Sequence, residues 1–377
     1  MKHHDLQPYR PTIATIDREA LAQNVTALKG ILNHNCRLMA VVKADAYGHG
    51  MTETAQTALH AGAHWLGVAL VEEALQLRAD GIAAPILVLG AAPVQSVPAA
   101  VAADIALTVF DTALLQAMQQ AAQRLQKKAR AHLKIDTGMH RIGVQTATQL
   151  QALLLAWEGC RAVEMEGIFS HFANADDSDL AFAKEQWADF LRTVAVVQRR
   201  GHRPLRHICN TAGTLWLPEA HMDMVRCGIG LYGYSPAAER VPTVPLRPVM
   251  QLKTQITHLA WAQPGDTIGY GRAYQAASPR RWATLPIGYG DGWKRSYAPK
   301  GWVLIGGQQA NIVGRICMDQ CMVDVTDIQN VAVGHEAVLL GTQGAERITA
   351  DDWASWAASI SYECLLGVSA RVPRKYT

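Results

Sequence analysis

The sequence predicts an α/β protein: an N-terminal (β/α)₈ barrel over residues 10–240, followed by a mainly antiparallel β domain over residues 241–377. Residues 1–9 are expected to join the β domain. Three observations point there. First, from about residue 10 to 235, eight short apolar runs alternate with helical patterns. Strands buried on both faces read as continuous apolar runs, and eight such units suit a closed parallel barrel better than an open sheet. Second, beyond about Pro245 long helical patterns vanish until residues 349–359, and strand-like runs separated by turn residues dominate. Third, the chain has 377 residues, whereas a barrel of this kind uses about 250, leaving roughly 130 for a second domain.

Taken in order, a helical pattern over 17–32 comes first, with Gly30 as its terminating residue. The eight apolar runs are 38–43, 65–69, 86–90, 105–110, 131–136, 166–170, 207–209 and 222–230. Between them lie helical segments over 51–61, 71–79, 112–126, 146–157 and 181–200, with only a short one over 94–102. Asp111 suits an N-cap and Gly201 a C′ position. Residues 236–248 hold Pro236, Pro242, Pro245 and Pro248, a stiff linker where the domains divide. The β domain then reads as runs over 250–260, 281–286, 302–305, 310–316, 321–325 and 337–340.

Composition excludes several functions. Hydrophobic residues make up 49% and charged residues 18%, enough apolar content for large cores and too little charge for long disordered tracts. A net charge of +3, with no basic run longer than Lys127-Lys128 or Arg199-Arg200, is not a nucleic-acid footprint. The cysteines at 36, 160, 209, 227, 317, 321 and 364 include no Cys-x-x-Cys pair, so neither a zinc site nor a disulfide framework is expected. No apolar core follows the first eight residues and no run of about 18 apolar residues exists, so no secretory signal and no membrane span are expected, and the cytoplasm is the expected location.

In a barrel, chemistry gathers at the C-terminal ends of the strands. The first run ends in Lys43; partial burial there lowers an amine's pKa and frees the neutral nucleophile, although a lysine reaching out to water also fits the position. The fifth run carries Lys134 and Asp136 facing inward, as a structural ion pair involving Arg141 or as part of a site. The sixth ends at His171, and the eighth encloses Arg226 among apolar residues, where it must be paired or hold something acidic or electron-rich. The loops at Asn210–Gly213 and Gly228–Gly230 follow strands seven and eight, where phosphate sites form. Gly228 to Gly233 matches G-x-G-x-x-G, but no helical pattern follows, so a dinucleotide site is rejected. His60 and His64 have metal-like spacing yet straddle a helix end and lack the accompanying glutamate, so no metal is expected.

These segments together resemble the alanine racemases, pyridoxal-phosphate enzymes. The markers are residues 40–50, 134–143, 170–176, 210–213, 225–233, 268–271, 286–293, 314–320, 361–363 and 371–374, in register along nearly the whole chain. The resemblance implies interconversion of L- and D-alanine, for peptidoglycan synthesis or D-alanine breakdown, with pyridoxal 5′-phosphate as cofactor. It implies that Lys43 carries the cofactor and serves one face of the substrate's Cα, while Tyr270 serves the other, supported by His171 and Arg226. Arg226 is implied to face the pyridine nitrogen; a permanent donor there keeps that nitrogen unprotonated. Phosphate contacts are implied for Tyr47, Thr211, Gly228, Ile229 and Tyr362, with Asn210 in the same cofactor-binding loop. Arg141 and the backbone of Met318 are implied to hold the substrate carboxylate, and Tyr289 and Asp319 to shape the entrance. In many members of the family the lysine matching Lys134 is carbamylated and braces the arginine matching Arg141. A head-to-tail homodimer is implied, each subunit completing the other's site. Departures are small: Thr211 where serine is usual, His140 where glycine is common, Asp45 where asparagine is frequent. The alternatives are a racemase of broader specificity acting on serine or basic amino acids, a pyridoxal-phosphate decarboxylase, disfavoured by Arg226, and a non-catalytic cofactor-binding protein, disfavoured by the β domain.

Overall fold

The computed structural model describes residues 9–377; residues 1–8, most of the segment expected to join the β domain, lie outside the described residues. The chain forms two compact units. One holds residues 20–46 and 50–247, the other residues 9–19, 47–49 and 248–377.

In the first unit, eight parallel strands run Arg37–Val41, Trp65–Val68, Ile86–Val88, Ala106–Val109, Ala129–Lys134, Val163–Phe169, Leu205–His207 and Met224–Cys227. The first seven pair in sequence order, and the eighth pairs back with the first. The remaining seam is bridged where Asp223 N–H donates to the Arg206 carbonyl (3.1 Å) and Arg226 N–H to the Cys209 carbonyl (3.0 Å). The Arg206 guanidinium grips Asp223 at 2.7 and 2.9 Å across that seam. The barrel expectation holds, and the helices start where side chains satisfy their free N–H groups: Asp111 accepts from Leu114 N–H at 2.8 Å, and Thr146 forms a reciprocal cap with Gln149. Part of the interior is apolar, built from Met39, Trp65, Leu87, Ala106 and Met224.

Several barrel strands are shorter than the sequence suggests, and two of these differences matter for the site. The first stops at Val41, and Lys43–Gly48 forms a helical turn whose residues Ala44, Asp45, Ala46 and Tyr47 have φ of 52, 50, 53 and 55°. Those values are left-handed. The last strand is Met224–Cys227 rather than 222–230, because the chain turns into a tight 3₁₀ turn at Ile229–Tyr232. A short helix over Thr211–Trp216 was not expected.

The second unit is built on a long sheet. Its strands lie in the order His258–Ala262, Arg280–Leu285, Cys321–Asp324, Gln308–Val313, Trp302–Ile305, Glu336–Gln343, Met250–Gln255, Ile13–Ile16, Arg374–Tyr376, all antiparallel except the final pair. The run expected over 250–260 is two strands. Ile256 N–H bonds the His335 carbonyl and Thr257 N–H bonds the Thr284 carbonyl, so the chain passes from one set of sheet partners to another at that point. Beside the sheet, Trp293 meets Tyr297 at 4.8 Å and Trp353 at 5.3 Å between ring centroids, an edge-on aromatic cluster. Among the described residues, no helix is long and apolar enough to cross a membrane.

Candidate active site

Four left-handed residues in succession are costly for L-amino acids, at about 1–2 kcal/mol each. The turn after Lys43 is therefore held by its surroundings. The ladder of the first strand ends where Val42 N–H donates to the Gly67 carbonyl (2.9 Å), and Ala46 N–H returns to the Val42 carbonyl (2.9 Å). Ala44 N–H is taken by the Glu73 carboxylate at 2.6 Å. Lys43 itself is half-buried. Burial pushes its amine below the usual lysine range, Arg141 pushes it further down, and Glu73 opposes both.

Four cations act on one another at this end of the barrel. Lys134 is buried, and burial together with Arg226 and Arg141 lowers its pKa to about 7, against the opposing pull of Asp136. Its Nζ donates to the Ile135 carbonyl at 2.6 Å and lies over the Phe169 ring. Asp136 is engaged mainly by its own loop, accepting from Gly138 N–H, His140 N–H and Gln145 Nε2 at 3.0 to 3.1 Å; burial pushes it up, but those bonds hold it below the usual carboxylate range. His171 is held well below its ordinary pKa by burial and then by Arg226, Arg141, Lys134 and Lys43. It is neutral near pH 7.

Arg226 organises the interior. Its Nη2 donates to the Ser170 carbonyl (2.8 Å), the Ile208 carbonyl (3.0 Å) and His171 Nδ1 (3.2 Å), and its Nη1 donates to His207 Nδ1 (2.9 Å). Arginine only donates, so both histidines accept at Nδ1 and carry their proton on Nε2. His207 Nε2 then donates to His132 Nδ1 at 2.9 Å, which leaves the His132 proton on Nε2, 3.6 Å from Glu166 Oε2. Burial is the first cause holding His207 and His132 below their usual range. Space for His132 comes from Gly167, where a Cβ would lie 2.1 Å from His132 Nδ1.

The loops after strands seven and eight pack against each other. Thr211 Oγ1 accepts from Gly228 N–H at 3.0 Å, and Asn210 Oδ1 accepts from Gly213 N–H at 2.9 Å. A Cβ on Gly230 would meet Thr211 Cγ2 at 2.8 Å, so the methyl that distinguishes threonine from serine occupies room a glycine leaves open. Ile229, next to Gly228, is buried.

The second unit gathers its own group. Tyr270 opens a 3₁₀ turn between Gly269 (φ 78°) and Gly271 (φ 69°), and is 69% exposed. A Cβ at Gly271 would come within 3.0 Å of Arg315 Nη1, so the turn lies directly on Arg315. Tyr270, Met318 and Asp319 line one concavity with Gly269, Cys317 and Gln320. Tyr289 sits beside them, its N–H bonded to the Cys317 carbonyl (3.0 Å) and that of Gly290 to the Met318 carbonyl (2.9 Å). Asp319 accepts from Arg371 at 2.8 Å. The rings of Tyr47 and Tyr362 lie 6.0 Å apart between centroids. Lys43, Lys134, Arg141, His171, Asn210, Thr211, Arg226, Gly228 and Ile229 thus belong to the barrel unit, and Tyr47, Tyr270, Tyr289, Met318, Asp319 and Tyr362 to the β unit. Sequence reasoning missed Glu73, His132 and His207. A histidine in each of two apolar runs was the signal for the last two; Glu73 reads as an ordinary acidic residue in a helix's first turn.

Residues 16–236 match the family described as alanine racemase, N-terminal domain, and residues 249–376 match alanine racemase, C-terminal domain. The chain is 44% identical to the alanine racemase of Symbiobacterium thermophilum, covering 99% of this chain and 98% of that one. Among solved structures it is similar to the alanine racemase of Bacillus anthracis with bound L-Ala-P, with a TM-score of 0.94 and 36% identity over 99% of this chain and 96% of that one. The alanine racemase of the D-cycloserine-producing Streptomyces lavendulae is comparable, with a TM-score of 0.92 and 37% identity over 99% and 98% of the two chains.

Proposed function

Because this chain belongs to the alanine racemase family, we propose that it interconverts L-alanine and D-alanine with pyridoxal 5′-phosphate as its cofactor. The barrel residues fit such a group. Lys43, Lys134, Arg141 and Arg226 repel one another around a neutral His171, so an anion among them relieves the repulsion. The loops after strands seven and eight, with Asn210, Thr211, Gly228 and Ile229, are where the barrel would hold the phosphate, and they already pack together through the Thr211 hydroxyl and the Gly228 N–H. When bound, the cofactor withdraws electrons from the amino acid and acidifies its Cα proton.

The chain's own side chains do the rest. Lys43, its amine pushed below the usual lysine range by burial and Arg141, exchanges the proton on one face of Cα. Tyr270 exchanges it on the other face, and Tyr270 in the β unit of a second copy of the chain completes the site in a head-to-tail homodimer. Arg141 and the Met318 backbone hold the substrate carboxylate, while Tyr289 and Asp319 border the way in. Lys134, with its pKa lowered to about 7, has a large neutral fraction near neutrality, and the neutral amine is the form that takes up carbon dioxide; the resulting carbamate is an anion that would offset the charge of Arg141. We place the work in the cytoplasm, in keeping with seven free thiols, six of them buried.

The observation that carries the reading is Arg226. Three donations from Nη2 and one from Nη1 fix a permanent donor in the barrel interior, where a decarboxylase of related architecture is expected to present a carboxylate. The test is incubation of the protein and pyridoxal phosphate in D₂O with L-alanine, L-serine, L-lysine or L-arginine. D-alanine bearing α-deuterium, without released CO₂, is expected; no deuterium in alanine refutes the function. Lys43→Ala abolishes absorbance at about 420 nm, where the cofactor bound to a lysine absorbs.

A further inference from the structure

The helix Val71–Ala79 follows the second barrel strand, and Glu73 is its third residue. One carboxylate oxygen, Oε2, caps the helix by accepting from Ala69 N–H (2.7 Å) and Leu70 N–H (3.1 Å). The other, Oε1, leaves its own loop and accepts from Ala44 N–H at 2.6 Å. Ala44 directly follows Lys43 and is the first of the four left-handed residues. Its N–H lies between the last ladder bond, at Val42, and the return bond at Ala46, so a side chain supplies its acceptor. A cap needs only one of the two oxygens; the second ties the exit of strand two to the exit of strand one at the residue beside the amine. The same carboxylate brings negative charge to a region where Lys43 faces Arg141, and where Arg226 and Lys134 face the neighbouring His171.

We propose that Glu73 is a positioning residue for Lys43: its carboxylate locks the left-handed turn through the Ala44 amide and supplies the counter-charge that sets the protonation of the Lys43 nitrogen. The proposal rests on the reading of Lys43 as the cofactor-bearing lysine. Glu73→Gln keeps size but loses the charge and one acceptor; Glu73→Asp keeps the charge but is one methylene too short to cap the helix and reach Ala44 together.

Two measurements test it. Hydrogen–deuterium exchange of the segment 43–48, followed by mass spectrometry of the protein without added cofactor, reads the Ala44 bond. Exchange there is expected to rise at least about tenfold in both variants, the loss of a hydrogen bond to a charged acceptor. Absorbance of the pyridoxal-phosphate-loaded protein, titrated with pH, reads the charge. Its midpoint is expected to fall by about one unit in Glu73→Gln, the low end for removal of a neighbouring opposite charge, and to stay near the parent value in Glu73→Asp. Activity should fall in kcat with KM little changed. A lowered melting temperature with exchange and midpoint both unmoved makes Glu73 a helix cap only and overturns the proposal. Should Glu73→Gln not fold, an unchanged exchange rate in Glu73→Asp overturns it equally. A parent protein that develops no cofactor band refutes the functional reading beneath it, whereas a normal parent band that Glu73→Gln leaves unaltered refutes this proposal alone.

Discussion

Replacing Gly167 by alanine changes one hydrogen to a methyl, yet the structure gives it a large effect. The new Cβ would lie 2.1 Å from His132 Nδ1, 2.4 Å from Cε1 and 2.7 Å from Cγ. Ordinary carbon contacts begin at about 3.5 Å, so the imidazole must move by more than an ångström. It cannot do so freely. The ring is fully buried, bonded to His207 at 2.9 Å and packed edge-on against Trp65 at 5.3 Å between centroids. Overpacking costs about 1–3 kcal/mol, and a buried partner left without its hydrogen bond costs about 1–3 kcal/mol more. The expected loss is therefore about 2–6 kcal/mol, centred near 4, which lowers the melting temperature by roughly 10 °C for a unit of this size. Urea denaturation of the two proteins measures it. His207 loses the acceptor of its Nε2 proton and Arg226 loses a fixed neighbour, so kcat/KM should fall with stability. Removing the obstructing ring should remove the penalty: in a His132→Ala background, Gly167→Ala is expected to cost under about 1 kcal/mol. A loss under about 1 kcal/mol in the parent background, or an equal loss in both backgrounds, refutes the steric account.

Other outcomes follow from the same geometry. Arg226→Lys keeps a charge but loses the fork that reaches Ser170, Ile208, His171 and His207; about 3 kcal/mol of stability and most α-deuteration of alanine should go with it, and retained deuteration would show that a point charge suffices. Lys134 has a folded pKa of about 7, below the unfolded value of about 10.4. Between those values the unfolded chain binds more protons, so this residue's contribution to stability rises with pH. In CO₂-free buffer the stability advantage of Lys134→Met over the parent should be greatest at or below pH 7 and shrink towards pH 10; a difference independent of pH would contradict it. Asp291 is fully buried and accepts from Arg10 at 2.9 Å and from Gly288 N–H at 3.1 Å. Asp291→Asn should cost about 3 kcal/mol, because it leaves buried donors beside a neutral side chain; a melting curve unchanged within error would rule that out.

The fold was legible because parallel barrel strands bury both faces, and apolar runs such as those ending near Lys43 and Lys134 announce themselves without an alignment. Strand ends were less so. The letters Lys43-Ala44-Asp45-Ala46-Tyr47 do not mark four left-handed residues in succession: glycine and asparagine are absent, and Asp45 alone is of a type that visits positive φ, as a single residue. The first strand of the chain, Ile13–Ile16, and the last, Arg374–Tyr376, were overlooked because their partners are remote in sequence. His171 stood out at a strand end and Arg226 as a charge enclosed in an apolar run, and they lie 3.2 Å apart. His132 and His207 carry only the weaker mark of a histidine in an apolar run, and Glu73 carries none. Their part in the site depends on which side chain stands opposite on the neighbouring strand, and that is fixed by barrel register rather than by local pattern.

The strand Ile13–Ile16 pairs with Met250–Gln255 and Arg374–Tyr376, so the barrel is threaded into the β unit between its first strand and its second. A ribosome releases that first strand long before it has made either partner. At about 5–20 residues per second, the wait from Ile16 to Met250 is roughly 10–50 s, and the edge closes against Arg374–Tyr376 only as the final residues emerge. During that interval the barrel segment can fold while one exposed strand trails from its start. A chain beginning after Ile16, or ending before Arg374, would keep every barrel strand yet leave that sheet with an unfilled edge.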